Sequence, residues 1–246
     1  MPDHLFSDAD LAALYDAMCP RATRDDFDFY RPMIMAARSV LDVGCGTGAL
    51  LHEVRDAGHA GRLVGLDPAA GMLAQARRRS DIEWVEGDLV SGGFEGAFDL
   101  IVMTGHAFQA LVADDDLRAA LAAARRALTA DGRYAFETRN PAARAWEQWR
   151  PDQAVSVTAP DGALVRMARE VVAPFDGRTV SFTHTFTSAA WDRPRLSHST
   201  LRFLDAPQLA AFLGEARLAV EAQFGDWDRS PLIDCSPEII TIARLV

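Results

Sequence analysis

The sequence predicts an α/β fold, a doubly wound and mostly parallel sheet with antiparallel strands laid over it. Two observations carry that prediction. From Val40 to about Glu137, short β-branched runs alternate with longer amphipathic runs, as βαβ units do. After Asn140-Pro141 the hydrophobic rhythm switches to period two, broken by DG-bearing and Pro-bearing turns, as in antiparallel strands. With 246 residues, 49% of them hydrophobic, the chain is long enough to bury a sizeable core and short enough to be a single domain.

Residues 1–38 read as a helical cap that carries Tyr15, Arg24, Phe27 and Tyr30. The first five strands are expected at SVLDV, RLVGL, IEWVE, FDLIVM and GRYAFE, so that residues 39–140 form the parallel-sheet core. Between the first two, Leu50, Leu51, Val54 and Ala57 recur at helical spacing, and Gly58 sits where a left-handed cap would end that helix. A second helix is expected from near Ala69 to Arg79. A third begins near Asp114–Asp116 and presents Leu117, Leu121, Ala124 and Leu128 on one face, with Arg125 and Arg126 complementing its dipole. Residues 141–204 are expected to form an inserted antiparallel β lid: a short helical stretch around Trp146 and Trp149, then VSVTA, ALVRMAREVV, RTVSFTHTF and RLSHSTLRFL. In residues 205–246, Asp205 suits the cap of a helix through Leu213, and LAVEAQF and EIITIARL supply two closing strands.

The stretch SVLDVGCGTGALL bares the backbone between the first strand and the first helix of the core. Gly44, Gly46 and Gly48 remove alternate Cβ atoms, so a ligand can approach the main chain closely. In open parallel sheets such a loop lies at the carboxyl edge, where ligands bind. Gly44-x-Gly46-x-x-Ala49 also satisfies a dinucleotide fingerprint and does not by itself choose between ligands. Asp42 does. A carboxylate two positions before the first glycine would repel a pyrophosphate where a helix N-terminus is meant to attract one, and would welcome an ammonium or sulfonium. Asp67, at the end of the second strand, is placed to accept both hydroxyls of a ribose, a role that dinucleotide and adenosyl ligands share. Asp88 ends the third strand in VEGDL, placed to accept from an adenine amino group. Each acid alone could cap a loop or helix. Three at successive strand ends favour a cationic adenosyl ligand.

VLDVGCGTG, GLDPAAGMLAQAR, IEWVEGDL and FDLIVMTG, in that order from Val40 to Gly105, resemble successive motifs of class I S-adenosylmethionine-dependent methyltransferases. The resemblance implies a Rossmann-like doubly wound seven-stranded sheet with its last strand antiparallel. It also implies S-adenosyl-L-methionine as cofactor and a small-molecule acceptor methylated at nitrogen or oxygen. By the same resemblance, Gly44, Cys45, Gly46, Thr47 and Gly48 would admit the methionine portion of the cofactor, with Asp42 near its ammonium group. Asp67, beside Pro68, would hold the ribose, Met72 would pack near the adenosine, and Asp88 with Leu89 would flank the adenine. Met103 with Thr104 would line the methionine end, and Tyr15 would reach the cofactor carboxylate from the N-terminal segment. Met72 taken alone reads as core filler. Cys45 reads as a small tolerated residue rather than a nucleophile, because no base is placed to activate it. The layout after Asn140 is similar to sugar N-methyltransferases and glycine N-methyltransferase, in which antiparallel strands roof the acceptor site. Asn140-Pro141 lacks the Pro-aromatic pair that follows in amino-directed DNA methyltransferases. No aspartate directly follows the fourth strand, as one does in the metal-dependent catechol type, and no metal is expected.

Methyl transfer from a sulfonium is an in-line displacement, so positioning can supply much of the acceleration. An oxygen acceptor profits from a partner that removes its proton, whereas a neutral amine needs none. Past the fourth strand lies His106, the candidate base or acceptor-orienting group. Past the fifth lies Arg139, a candidate anchor for an anionic acceptor. The plain alternatives are a histidine bonded to a loop carbonyl and a surface ion pair. His184, between Phe182 and Phe186 on the apolar face of an expected strand, reads as a core histidine, and His198 reads likewise.

Acidic residues outnumber basic ones by 35 to 25, giving a net charge of −10 with no basic block, so nucleic acid is not an expected partner. Every base is arginine, as the codon bias of a GC-rich bacterial genome would produce. Cys19, Cys45 and Cys235 are too scattered for a disulfide framework or a metal site. The acidic start lacks signal-peptide features and no 18-residue apolar run occurs, which points to the cytoplasm rather than to a membrane. The protein is expected to act alone or as a homodimer. Two rivals remain: a nicotinamide-dependent oxidoreductase, which shares the glycine loop, and a non-catalytic S-adenosylmethionine-binding protein with a dead acceptor pocket.

Overall fold

The computed structural model describes residues 2–246. Three four-residue helices, α1 (His4–Ser7), α2 (Ala9–Ala12) and α3 (Tyr15–Met18), lead into the longer α4 (Asp25–Ala36). The core then alternates as expected through β1 (Ser39–Val43), α5 (Ala49–Asp56), β2 (Arg62–Asp67), α6 (Ala70–Ala76), β3 (Glu83–Glu86), β4 (Phe98–Met103), α7 (Asp114–Ala127) and β5 (Leu128–Arg139). Short 3₁₀ turns around Trp146 precede β6 (Val155–Thr158), β7 (Leu164–Ala173), β8 (Thr179–Ser188) and β9 (Arg195–Arg202). The chain closes with α8 (Ala206–Glu215), β10 (Leu218–Phe224) and β11 (Glu238–Leu245).

Seven strands form the central sheet in the order β3-β2-β1-β4-β5-β11-β10, with β11 antiparallel to both neighbours. Because β1 pairs in parallel with β2 on one side and β4 on the other, the winding reverses there and opens a crevice at the carboxyl edge. Period-two alternation divides the strands between two layers. Leu41, Val43, Val64 and Leu66 pack under α7 and α8 with Leu117, Leu121, Leu209 and Leu213. Val40, Leu63, Leu100 and Val102 pack against Tyr30 and Ile34 of α4 and Leu51 and Val54 of α5.

The second sheet, β6-β7-β8-β9, is antiparallel throughout. Its apolar side is covered by the N-terminal helices: Leu5, Leu11 and Leu14 pack on Val165 and Phe186. The Leu5 amide donates to Ser197 Oγ at 2.8 Å. The same helices touch the central domain, where Ala12 packs with Ala69 and Met72. Residues 3–18 therefore strap the lid to the edge of the main sheet.

Three sequence expectations need correction. Leu128, assigned to a helix face, instead opens β5, where it sits opposite Phe98 in β4. It is buried in the α7 layer all the same. The helix expected to reach Arg79 ends at Ala76, and Arg79 caps the turn by pairing with Asp56 and Asp81. His198 is exposed on β9, bonded to Thr183 Oγ1 at 2.8 Å, because the inward positions are the small Ser197 and Ser199 that receive the strap.

Candidate active site

The glycine loop between β1 and α5 is left-handed at Gly44, Gly46 and Gly48. Two of these glycines are enforced by neighbours: a Cβ on Gly48 would lie 2.4 Å from the Trp84 ring, and one on Gly44 2.8 Å from the Ala107 methyl. Gly46 differs. A Cβ there would meet nothing within 4 Å, so only its backbone conformation and the open space in front of it call for glycine. Cys45 turns away from that space into the packing of Leu73, Ala76 and Trp84, and burial, followed by the charge of Asp42, holds its thiol well above the usual range. Such a thiol is no nucleophile.

Two of the three strand-end acids point inward. Asp42 is 1% exposed, and its Oδ1 has no hydrogen-bond partner among the described residues. Burial raises its carboxyl to about 7; the Arg24 guanidinium opposes this, while Asp67 and Glu137 add to it. Asp67 is also buried, accepting from the Gly46 amide and the Ala69 amide, both at 2.8 Å, so that it ties the glycine loop to the end of β2. Asp88 instead stands in solvent, and its Oδ1 accepts from the amides of Val90 and Ser91. That loop cap uses one carboxylate oxygen, and among the described residues no backbone donor reaches the other.

The remaining cofactor-side positions fall into two groups. Met72 is buried against Ala69, with the half-buried Tyr15 packed on it, and Thr47 Oγ1 donates to Asp16 at 2.7 Å, so the strap closes over the loop. Thr104 is buried at the end of β4. Leu89 and Met103, by contrast, send their side chains into the core, where Met103 Sδ accepts from the Tyr134 hydroxyl. Pro68 is exposed beside Asp67.

On the acceptor side, His106 sits in a left-handed turn after β4. Its amide donates to Glu137 Oε1 at 2.7 Å, and its Nε2 lies 2.9 and 3.0 Å from the two oxygens of Glu238. Burial pushes Glu238 up to about 8 and His106 well below its usual value, so the pair shares one proton at neutral pH. Glu137, completely buried, also accepts from the Tyr30 hydroxyl at 2.5 Å. Burial pushes it up to about 8 against the opposing effect of that hydroxyl. Arg139 is half-buried, its Nη1 donating to Gln109 Oε1 at 3.0 Å and its guanidinium 5.4 Å from the centre of the Trp149 ring. It is no surface ion pair: no carboxylate lies within 4.0 Å of it among the described residues. His184 is buried as expected, with its Nε2 accepting from Arg169.

Arg24, Tyr30, Glu137, Trp149, Arg169 and Glu238 had no assigned role in the sequence. Glu137 carried one signal that could have found it, an acid inside an apolar strand pattern, where a charge needs a reason; Glu238, which opens β11, carried none.

Residues 40–132 match the family model described as a methyltransferase domain. The 2-phytyl-1,4-naphtoquinone methyltransferase of Thermosynechococcus vestitus is 36% identical over 130 residues, covering 49% of this chain and 56% of that protein. The cypemycin N-terminal methyltransferase of a Streptomyces species is 33% identical over 116 residues, covering 46% of each. The chain thus spans about half the length of the curated relatives it matches. Among solved structures, the CcbJ methyltransferase of Streptomyces caelestis superposes over the whole of both chains with a TM-score of 0.76 at 21% identity. The sugar N-methyltransferase KedS8 of a Streptoalloteichus species covers 94% of this chain and 93% of its own with a TM-score of 0.70 at 19% identity. The fold, lid included, is that of the class I methyltransferases.

Proposed function

Taking as premise the methyltransferase domain over residues 40–132 and the class I fold around it, we propose that the protein methylates a small molecule at nitrogen or oxygen, using S-adenosyl-L-methionine. The observations that support this best are the buried Asp42 oxygen without a partner and, four residues on in the same loop, the open space in front of Gly46. An orphaned buried carboxylate oxygen is costly, and a bound ammonium group would satisfy it. A pyrophosphate would add to the cost, which disfavours a nicotinamide cofactor.

The residues present fit the proposed cofactor. Asp42 would take its ammonium group, the Gly44–Gly48 backbone its methionine portion, and Asp67 its ribose, through lone pairs not used by the Gly46 and Ala69 amides. Met72 and Tyr15 would pack on the adenosine side, Asp88 would offer its free oxygen to the adenine, and Thr104 would flank the methionine end. When bound, the cofactor supplies an electrophilic methyl group on sulfur.

The chain's own part is to orient the acceptor and to hold a proton. Glu137, fixed by Tyr30 and the His106 amide, pins the turn after β4. His106 and Glu238, sharing one proton, can orient an acceptor hydroxyl or amine, and can take up a proton only once Glu238 ionises above about pH 8. This reading carries with it a cytoplasmic bacterial enzyme, alone or as a homodimer, that does not act on nucleic acid. Its acidic charge and dispersed cysteines support that setting, and no helix among the described residues is long and apolar enough to cross a membrane.

Two measurements test the proposal. S-adenosylhomocysteine should raise the melting temperature in a saturable way while NAD does not; the reverse result makes the protein an oxidoreductase candidate. Labelled methyl donor incubated with the protein and an extract of its host should then yield a labelled small molecule. Cofactor binding without any labelled product would leave only the non-catalytic binding protein.

A further inference from the structure

The chain holds seven arginines that are buried or half-buried. Five have a carboxylate within 4.0 Å: Arg24, Arg55, Arg79, Arg195 and Arg202. Arg139 and Arg169 have none among the described residues. They come from different elements, the end of β5 and the middle of the lid strand β7, yet both guanidinium carbons lie 5.4 Å from the centre of the Trp149 ring. Arg139 spends one Nη on Gln109, and Arg169 spends Nε on His184, whose ring stays neutral because burial and the Arg169 charge lower its pKa to about 3. Two Nη groups of Arg169 and one of Arg139 are left without a protein acceptor among the described residues. None of these nitrogens is sealed from solvent.

Two cations flanking one buried ring repel each other and lose hydration, and burial opposes the charge on both, offset in part at Arg139 by Glu238 and Glu137 from beyond 4.0 Å. Nothing in the fold requires the arrangement. Trp149 already packs on the apolar rings of Phe182 and Phe203 and needs no cation to fill its surroundings. What compensates two such forks is a planar oxyanion. The place is next to the proposed acceptor side: the charge of Arg139 acts on His106, and that of Arg169 on Cys19 at the end of the strap.

We propose that Arg139 and Arg169, set around Trp149, form a subsite for the carboxylate of an acidic acceptor, whose opposite end faces His106. This rests on the methyltransferase reading for the identity of the ligand as acceptor, but the anion site itself does not.

The test is binding, read by thermal shift and calorimetry on the protein preloaded with S-adenosylhomocysteine. The probes are phenylacetate and indole-3-acetate, their amides, and phenyl phosphate. The carboxylates should stabilise the wild type in a saturable way and the amides should not. R169Q and R139Q should each weaken carboxylate binding at least about tenfold, the effect of losing a charge-assisted hydrogen bond. R166Q, an exposed arginine on the same strand, should leave it unchanged. S-adenosylhomocysteine affinity in R169Q should equal that of the wild type, which shows that the variant is folded. Amides binding as well as acids, no binding by any acid, or equal losses in R166Q and R169Q would overturn the proposal. A preference for phenyl phosphate over both acids would replace the carboxylate with a phosphate. If S-adenosylhomocysteine fails to bind any form while the acids still bind, the methyltransferase reading falls and the anion site stands.

Discussion

Asp42 shows how one side chain can cost stability and confer binding. Its carboxyl, raised to about 7 by burial, binds a cation best when ionised. Cofactor affinity should therefore strengthen as pH rises through about 7, and binding at lower pH should release a proton, seen by calorimetry in buffers of different ionisation enthalpy. Asp42→Asn should weaken S-adenosylhomocysteine by about 1–3 kcal/mol while raising the melting temperature of the ligand-free protein at alkaline pH, since an amide has no charge to bury. A variant with unchanged affinity would remove Asp42 from the site. Asp42, Gly46 and Asp67 were legible in the sequence because strand, turn and helix are consecutive, so spacing alone fixes their geometry. Glu137 was not. Its partner Tyr30 lies 107 positions away, and no local pattern links them. Tyr30→Phe should cost about 1–3 kcal/mol in denaturant unfolding, because it leaves a fully buried carboxylate with one donor fewer.

At the scale of elements, the strap of α1–α3 is the piece with least of its own to hold it. Each of these helices has four residues, too short to be stable alone, so packing on the lid and on α6 must supply the order. Thr47→Val removes the bond from the glycine loop to Asp16. It should raise amide exchange across residues 4–18 and speed cofactor dissociation, with a stability loss of about 0.5–1.5 kcal/mol. Unchanged exchange in those residues would mean that packing alone secures the strap. Element type was easier to read than element boundary. Leu128 illustrates why, since the same buried face serves the end of α7 and the start of β5, and only the pairing with Phe98 decides between them. The lid strands were legible from their alternation, but that β9 would turn serines inward required knowing that another part of the chain docks there.

For the molecule as a whole, the buried acids set the response to pH. Asp42 at about 7, and Glu137 and Glu238 at about 8, keep protons in the folded state that an unfolded chain has already lost above about pH 5. The folded state then binds more protons than the unfolded one, so stability falls as pH rises. Below about 6.5 the buried, neutral His106 and His184 act in the opposite sense, because the unfolded chain would protonate them. Three such acids outweigh two such histidines, so the ligand-free protein should be most stable at about pH 5 and lose melting temperature from there to about pH 8, levelling beyond. Saturating cofactor should flatten that decline by lowering the Asp42 carboxyl. A melting temperature that climbs steadily from pH 6.5 to 8.5 would contradict the burial of these three acids.

The strap has a kinetic consequence. Because residues 3–18 are fastened to both the lid and the glycine loop, they cannot admit the methyl donor once the acceptor has seated beneath the lid. The donor should enter first and the demethylated donor leave last, an ordered scheme in which S-adenosylhomocysteine competes with donor but not with acceptor. Turnover would then keep time with the lifting of a short N-terminal latch rather than with the transfer of the methyl group.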